Sequence, residues 1–517
     1  MNKNKPGLPL LTYDKISRIL RGNNLQPPSY ILSRWLFLRL LGFVYLIAFL
    51  SFWIQLPGLI GSNGILPAEG FLNVLKSNLG AKAYWIVPTL AWFNPHDWFL
   101  ESLVIGGTFL SVLLILGVLT VPVLVLLWIF YLSLVSAGQV FMSFQWDTLL
   151  LEVGFLAIFL SAFQVLPTLS RQSPPRSVIL WLFRFLLFRL MFSSGFRKLS
   201  SGDPTWRNFT ALDFHYYTQP LPTPVAWYMY QLPEWFHKFS VGFMFFIELV
   251  VPFFIFAPRR FRFVAAGGIV FLQVLIALTG NYTFFNLLSI TMCILLLDDA
   301  FLQRFLPKRL GEATATKQLP GESRSTFSLK QLGIGILAGV IIFLGSIQLA
   351  GVITKYQNLP SVLQKAFLWI SPLRIVNNYG LFEVMTTSRP EIIIEGSDDG
   401  QNWLEYGFKY KPGDLKKPPP WVAPYQPRLD WQMWFAALGS YQDNPWFINL
   451  MVRLLQGSPD VTRLLERNPF PSTPPKYLRA VLYEYHFTDL HTRRATGAWW
   501  QRESKGLYLP PIALNQD

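Results

Sequence analysis

The chain has 517 residues, of which 52% are hydrophobic and only 14% charged, against roughly 25% charged in an average soluble protein. That leaves too few charges to coat a soluble multidomain protein, and the apolar content excludes disorder, so composition points to an integral membrane protein. The net charge of +15 reads first as an orientation signal, not as nucleic-acid binding.

Residues 1–34 are polar and basic, with no short apolar core and small-residue cleavage site, so no cleaved signal peptide is expected. The apolar run 35–54 is long enough to cross a hydrocarbon core of roughly 30 Å, with Trp35 and Trp53 at its ends as interfacial anchors. Further spans are read at 99–120, 121–142, 147–166, 177–196, 238–257, 263–280, 282–297 and 332–353. The two runs in 263–297 are short and joined by Thr279-Gly280-Asn281-Tyr282, and either cross or form a re-entrant hairpin. The fold class is an α-helical polytopic bundle of eight or nine spans within 35–353, followed by a soluble β-rich α+β domain at 365–517.

Orientation follows from the basic loops. With the N-terminal segment in the cytoplasm, three loops fall on that same side. These are 167–176 with Arg171 and Arg176, Pro258–Arg262, and 298–331 with Arg304, Lys308, Arg309, Lys317, Arg324 and Lys330. That agreement puts the C-terminal domain outside. Residues 311–328 are small and polar and read as a flexible cytoplasmic linker.

Beyond residue 365, charges and prolines rise. Glu391–Glu395 and Trp403–Tyr410, joined by residues 396–400, predict a β-hairpin, and 477–487 predicts a third strand. Asn444-Pro445 and Ser458-Pro459 each place an N-cap residue before a proline and predict two short helices.

Ionisable residues within apolar spans are costly and face protein, water or a partner. Here they are Arg39, Asp147, Glu152, Arg184, Arg189 and Glu248. Either they pair across helices or they line a polar cavity open to the outside. The segment 197–233 is too polar to span and too aromatic for a linker. It supplies Lys198, Asp203, Trp206, Arg207, Asp213 and His215 to a candidate polar pocket with Glu152, Arg184, Arg189 and Glu248. Lys198 is either a snorkelling lysine at the end of a span or a partly desolvated base. No metal site is expected: no HExxH is present, and Asp213 with His215 is a weak two-ligand pattern. Neither G-x-S-x-G nor a P-loop occurs. The lone cysteine, Cys293, rules out an intramolecular disulfide.

Several long strings then resemble the lipase maturation factor family. They include SRWLFLRLLGFVYLIAFLSFWIQLPGLIGSNGILPA (33–68), FQWDTLLLEVGFLAIFL (144–160), FRLMFSSGFRKLSSGDPTWRN (188–208) and LDFHYYTQPLPTP (212–224). FIELVVPFFIFAPRR (246–260), LTGNYTFFNLL (278–288), NNYGLFEVMTTSRPEIIIEGS (377–397), YKPGD (410–414), PRLDWQMWFAALG (427–439) and TGAWWQR (496–502) continue the match in order. The resemblance implies an integral membrane protein that assists folding and assembly of secreted lipases through an outward-facing C-terminal domain. In eukaryotic members the membrane is that of the endoplasmic reticulum, with that domain lumenal. The compact length and single cysteine point to a bacterial member, in the inner membrane with the domain outside. Asn208 and Asn281 form N-x-T sequons, which matter only in a eukaryotic secretory setting.

A shorter pattern, Gly195, Lys198, Leu199 and Trp206 after a span, is similar to the membrane core of vitamin K-dependent carboxylases. It implies an alternative: a membrane enzyme with Lys198 as base on a quinone-like lipid cofactor or substrate. Under the maturation reading no cofactor is expected, and the partners are membrane lipids and an exported client such as a lipase. Candidate client contacts are Trp421, Trp431, Trp434, Phe435, Trp446, Trp499 and Trp500, each equally readable as core. A transporter is a third reading, with Glu152, Glu248 and Arg189 lining a path, but no repeat relates the halves of the bundle.

Overall fold

The computed structural model describes residues 28–166, 169, 172–305, 307, 329–354 and 360–514. The 311–328 linker and the side chains of Arg171, Lys308, Arg309, Lys317, Arg324 and Lys330 lie outside the described residues.

Each apolar run forms a helix, the one conformation in which a segment satisfies its backbone groups without water. In chain order the long ones are α1 (Ile31–Trp53), α2 (Asp97–Leu116), α3 (Thr120–Ala137), α4 (Gln145–Leu160) and α5 (Ser177–Ser200). They continue with α6 (Glu234–Phe256), α7 (Arg259–Thr279), α8 (Phe285–Cys293, extended to Leu296 by a 3₁₀ turn) and α9 (Leu329–Thr354). Among the described residues, seven helices are long and apolar enough to cross a membrane; α4 and α8 are the shorter ones.

The helices alternate in direction between two ends. At one end the Tyr30 hydroxyl accepts from Arg184 of α5 at 3.1 Å and from Arg262 of α7 at 2.7 Å. Arg262 also donates to the Leu296 carbonyl after α8, and the Asp299 carboxylate receives the free N–H groups of Ile31, Leu32 and Ser33 that open α1. The α7–α8 hairpin therefore returns to the end it started from. At the opposite end, the residues just after α1, α3 and α7, the last turn of α5 and the first turn of α4 meet the C-terminal region. Close packing within the bundle uses missing side chains: a Cβ on Gly107 of α2 would sit 2.2 Å from the Phe49 ring of α1.

The C-terminal region carries an antiparallel sheet in the order β2-β1-β5-β6. Its strands are β1 (Pro390–Ser397), β2 (Leu404–Glu405), β5 (Tyr477–Phe487) and β6 (Trp500–Ile512), while β3 (Gly407–Phe408) pairs separately with β4 (Leu465–Arg467). The expected hairpin and third strand are present. The second hairpin arm is divided between β2, which pairs with β1, and β3, which pairs with β4, and the following N–H groups of Tyr410 and Lys411 go to the Asp430 carboxylate. Both helices after Asn444 and Ser458 form, with proline at their first positions, although neither side chain caps its own helix.

The described residues of the C-terminal region, 365–514, pack directly on the bundle. A single apolar core runs from Phe52, Phe141 and Trp146 of the bundle into Ile392, Trp431 and Phe447. The reason lies in the ion pairs that cross the seam.

Candidate functional site

The seam is built from charges that a sequence reading assigns to the membrane. Asp147, in the first turn of α4, takes both Arg428 Nη1 and Nη2 at 2.9 Å, and both side chains are fully buried. The bidentate fork matches the carboxylate and leaves neither charge unpaired. One turn further on, Glu152 accepts from Arg189 of α5 at 3.0 Å, from the Tyr379 hydroxyl at 2.7 Å and from the Asn377 backbone at 2.8 Å. Arg389 donates to the carbonyls of Tyr217 at 2.6 Å and Pro220 at 2.9 Å and to Glu391 at 2.8 Å, which also holds Lys411. Asn281 donates to the Pro420 carbonyl at 2.9 Å and accepts from the backbone of Val422 and Ala423 at 2.8 and 2.9 Å. With its amide fully engaged and buried, Asn281 cannot present its sequon, whereas Asn208 is exposed.

The second feature is a cavity of about 630 Å³ bounded by α5, α6, α7, the segment 206–229 and the loop 381–382. Its walls are apolar, and Lys198, Glu248, His215 and Trp206 lie together at its polar end. Lys198 Nζ donates to both Glu248 oxygens at 2.8 and 2.7 Å and sits 5.4 Å from the centre of the Trp206 ring. Glu248 is placed by a π turn, Phe246–Val250, that interrupts α6; one extra residue in the turn re-aims a side chain that a regular helix would point elsewhere. Gly195 permits this approach, since a Cβ there would meet the Glu248 Cβ at 2.8 Å.

His215 is fixed by its neighbours. Gln219 Oε1 can only accept, so the Tyr282 hydroxyl donates to it at 2.9 Å and must take the His215 Nε2–H as acceptor at 3.0 Å. The imidazole is thus the neutral Nε2–H tautomer, with buried Nδ1 unpartnered. Burial, and then the nearby charge of Lys198, push its pKa down to about 3. The roof is Phe382, held at φ 54°, a strained conformation for a bulky residue, with Trp206 donating to its carbonyl at 3.0 Å.

The structure brings together only part of the expected pocket. Trp206, His215, Glu248 and Lys198 converge. Glu152 and Arg189 belong to the seam, and Arg184 to the Tyr30 cluster. Asp203 caps the turn at Pro204 and holds the Met385 N–H, and Arg207 is exposed. Asp213 turns away from His215 to bind His237 Nδ1 at 2.6 Å, because side chains two apart on a helix diverge. Sequence reasoning missed Tyr282, Gln273 and the aromatic wall of α6 and α7, since nothing local marks a gap between two apolar helices.

The candidate client contacts divide between interior and surface. Trp431 packs edge-on to Trp146 at 4.7 Å, Trp434 donates to the Thr218 carbonyl, Trp446 lies against Phe141 and Trp500 against Phe487. These four are interior, as the apolar demand of the seam requires. Trp421 and Phe435 are exposed, at 55% and 44%, and Trp499 is half-buried beneath Arg493.

Comparison with known proteins gives two family matches: the lipase maturation factor transmembrane domain over residues 32–304, and the lipase maturation factor C-terminal domain over residues 375–510. The chain is 37% identical to lipase maturation factor 1 of Bos taurus, covering 96% of this chain and 92% of that protein. It is 37% identical to lipase maturation factor 2 of Homo sapiens, covering 93% and 83%, and 37% identical to that of Xenopus laevis, covering 94% and 83%. No solved structure matches.

Proposed function

The chain belongs to the lipase maturation factor family, and on that premise we propose that it assists folding or assembly of an exported client, such as a lipase, at the outer face of its membrane. In this reading all nine helices cross, the Tyr30 end is cytoplasmic and the C-terminal region faces the periplasm or the lumen. The described arginines of the Tyr30 end, Arg34, Arg176, Arg259, Arg260, Arg262 and Arg304, support that orientation. The observation that carries the reading is the family match over both parts of a chain whose C-terminal region is locked to the bundle at one end. A bundle-anchored surface holds a client close to the membrane while its own core closes. The exposed Trp421 and Phe435 are the client contacts this reading prefers. Client capture needs no chemistry of the chain's own. The test is the specific activity of an exported lipase in cells with and without the chain. Lower activity per secreted molecule in its absence supports the proposal; unchanged activity of every exported hydrolase contradicts it.

A second reading is favoured by one observation, the position of Lys198 in the cavity wall. There it would serve as base on a lipid-soluble cofactor or substrate. A stably folded Lys198→Ala variant that keeps all biological function excludes this reading.

A further inference from the structure

We propose that the cavity between α5, α6 and α7 is a binding site for a membrane lipid with an uncharged head bearing hydroxyl or carbonyl oxygens. Occupancy of the site does not depend on whether Lys198 performs chemistry.

Three observations carry it. The first is the route of entry. α6 and α7 lie close at the level of the π turn, where a Cβ on Gly268 would be 3.1 Å from Ile247. Beyond the π turn the cavity lies between them: Phe243 meets Phe271 edge-on at 5.9 Å, and Phe239 and Phe271, exposed at 64% and 52%, flank the opening with Leu275 and Leu278. These side chains lie on helices apolar enough to cross a membrane, so the gap opens sideways towards acyl chains and not towards water. The second is size and lining. A volume of about 630 Å³ lies within the range of sites that enclose a small ligand, with apolar walls and a few polar groups at one end. It accommodates a lipid head and part of one chain, with the remainder left in the bilayer.

The third observation is charge. The polar end is neutral in sum, because Lys198 is matched by Glu248 and His215 is uncharged. Lys198 has three donors and uses two on Glu248, so one remains, and Glu248 keeps acceptor capacity. A hydroxyl or carbonyl oxygen can use both. A phosphate or quaternary ammonium head would bring an unmatched charge into an apolar enclosure, which is strongly unfavourable.

The probe is a diacylglycerol carrying a photoreactive diazirine on one acyl chain, present as a minor component of phosphatidylcholine nanodiscs containing the full chain. After irradiation, adducts are mapped by peptide mass spectrometry. Labelling is expected on Phe243, Phe271 and Leu275 and is displaced by unlabelled diacylglycerol. Ser240→Trp, which places a large ring in the cavity, is expected to lower it by about tenfold. Val264→Trp, which puts a ring of the same size on the exposed face of α7 outside the cavity, is the control and is expected to leave labelling unchanged. A phosphatidate probe of the same chain length is expected to label these residues about tenfold less. Labelling that ignores both Ser240→Trp and unlabelled competitor, or a phosphatidate probe that labels equally well, overturns the proposal.

Discussion

The seam with the C-terminal region and the cavity between α5, α6 and α7 use the same ingredients to opposite ends. Both set buried carboxylates against buried cations at the same end of the bundle. At the seam every oxygen of Asp147 and Glu152 has a partner, each carboxylate is met from more than one element, and the surrounding core is closed. At the cavity one lysine meets one glutamate, and open space follows. A buried pair enclosed by close packing fixes how two regions dock; a pair beside a void is available to a ligand.

The largest effect expected on this comparison comes from Arg428→Met. It leaves Asp147 buried without its cation and should cost about 3–5 kcal/mol, read as loss of protease resistance across residues 375–510 in detergent. If the fold tolerates it, the seam is not what holds the C-terminal region. Lys198→Met should also destabilise by a few kcal/mol, but adding Glu248→Leu should return most of that loss, since removing both partners of a buried pair is often neutral. A double variant as unstable as the single would show that the pair is structural in the same sense as the seam. Asn281→Ala leaves the Val422 and Ala423 N–H groups without their acceptor and should cost about 1–3 kcal/mol in thermal unfolding.

The pH response sharpens the cavity side. In the unfolded chain the His215 imidazole takes a proton near pH 6.5, while in the fold it stays neutral down to about 3. The unfolded state therefore binds the extra proton throughout that window. Stability from this residue is fully present above about pH 6.5 and is lost as pH falls, by up to about 1.4 kcal/mol per unit. His215→Gln, which can still donate to Tyr282, should flatten the wild-type slope between those values; an unchanged slope would place the titration elsewhere. The smallest stability effect, within about 0.5 kcal/mol, is expected for Trp421→Ala and Phe435→Ala, which lie on the surface. Their effect should appear in client yield.

The contrast also explains which parts were legible from residues alone. Long apolar runs specify their helices, and Val- and Ile-rich segments such as EIIIE specify β1, because period and length are local properties. β6 was not legible: Pro510, Pro511 and the charged 502–505 stretch argue against a strand, yet an edge strand paired only to β5 tolerates them. The importance of Asp147 and Glu152 was visible as charges in apolar context. Their partners, Arg428, Asn377 and Tyr379, lie more than two hundred residues away and could not be assigned. Glu248 and Lys198 stand out in the sequence as charges in or beside apolar runs, but the π turn that brings them together and the gap beside them arise from packing between helices.

The proposed function rests on a family fold, locked to its C-terminal region at one end, acting on an exported client. The most direct measurement is the specific activity of a secreted lipase in cells lacking the chain, complemented with wild type or with the Trp421→Ala/Phe435→Ala variant. The account predicts that wild type restores activity per secreted molecule, and that the variant is present at wild-type abundance but restores it poorly. Full restoration by the variant would contradict the assigned contact surface, and no deficit in the deleted cells would contradict the maturation role itself.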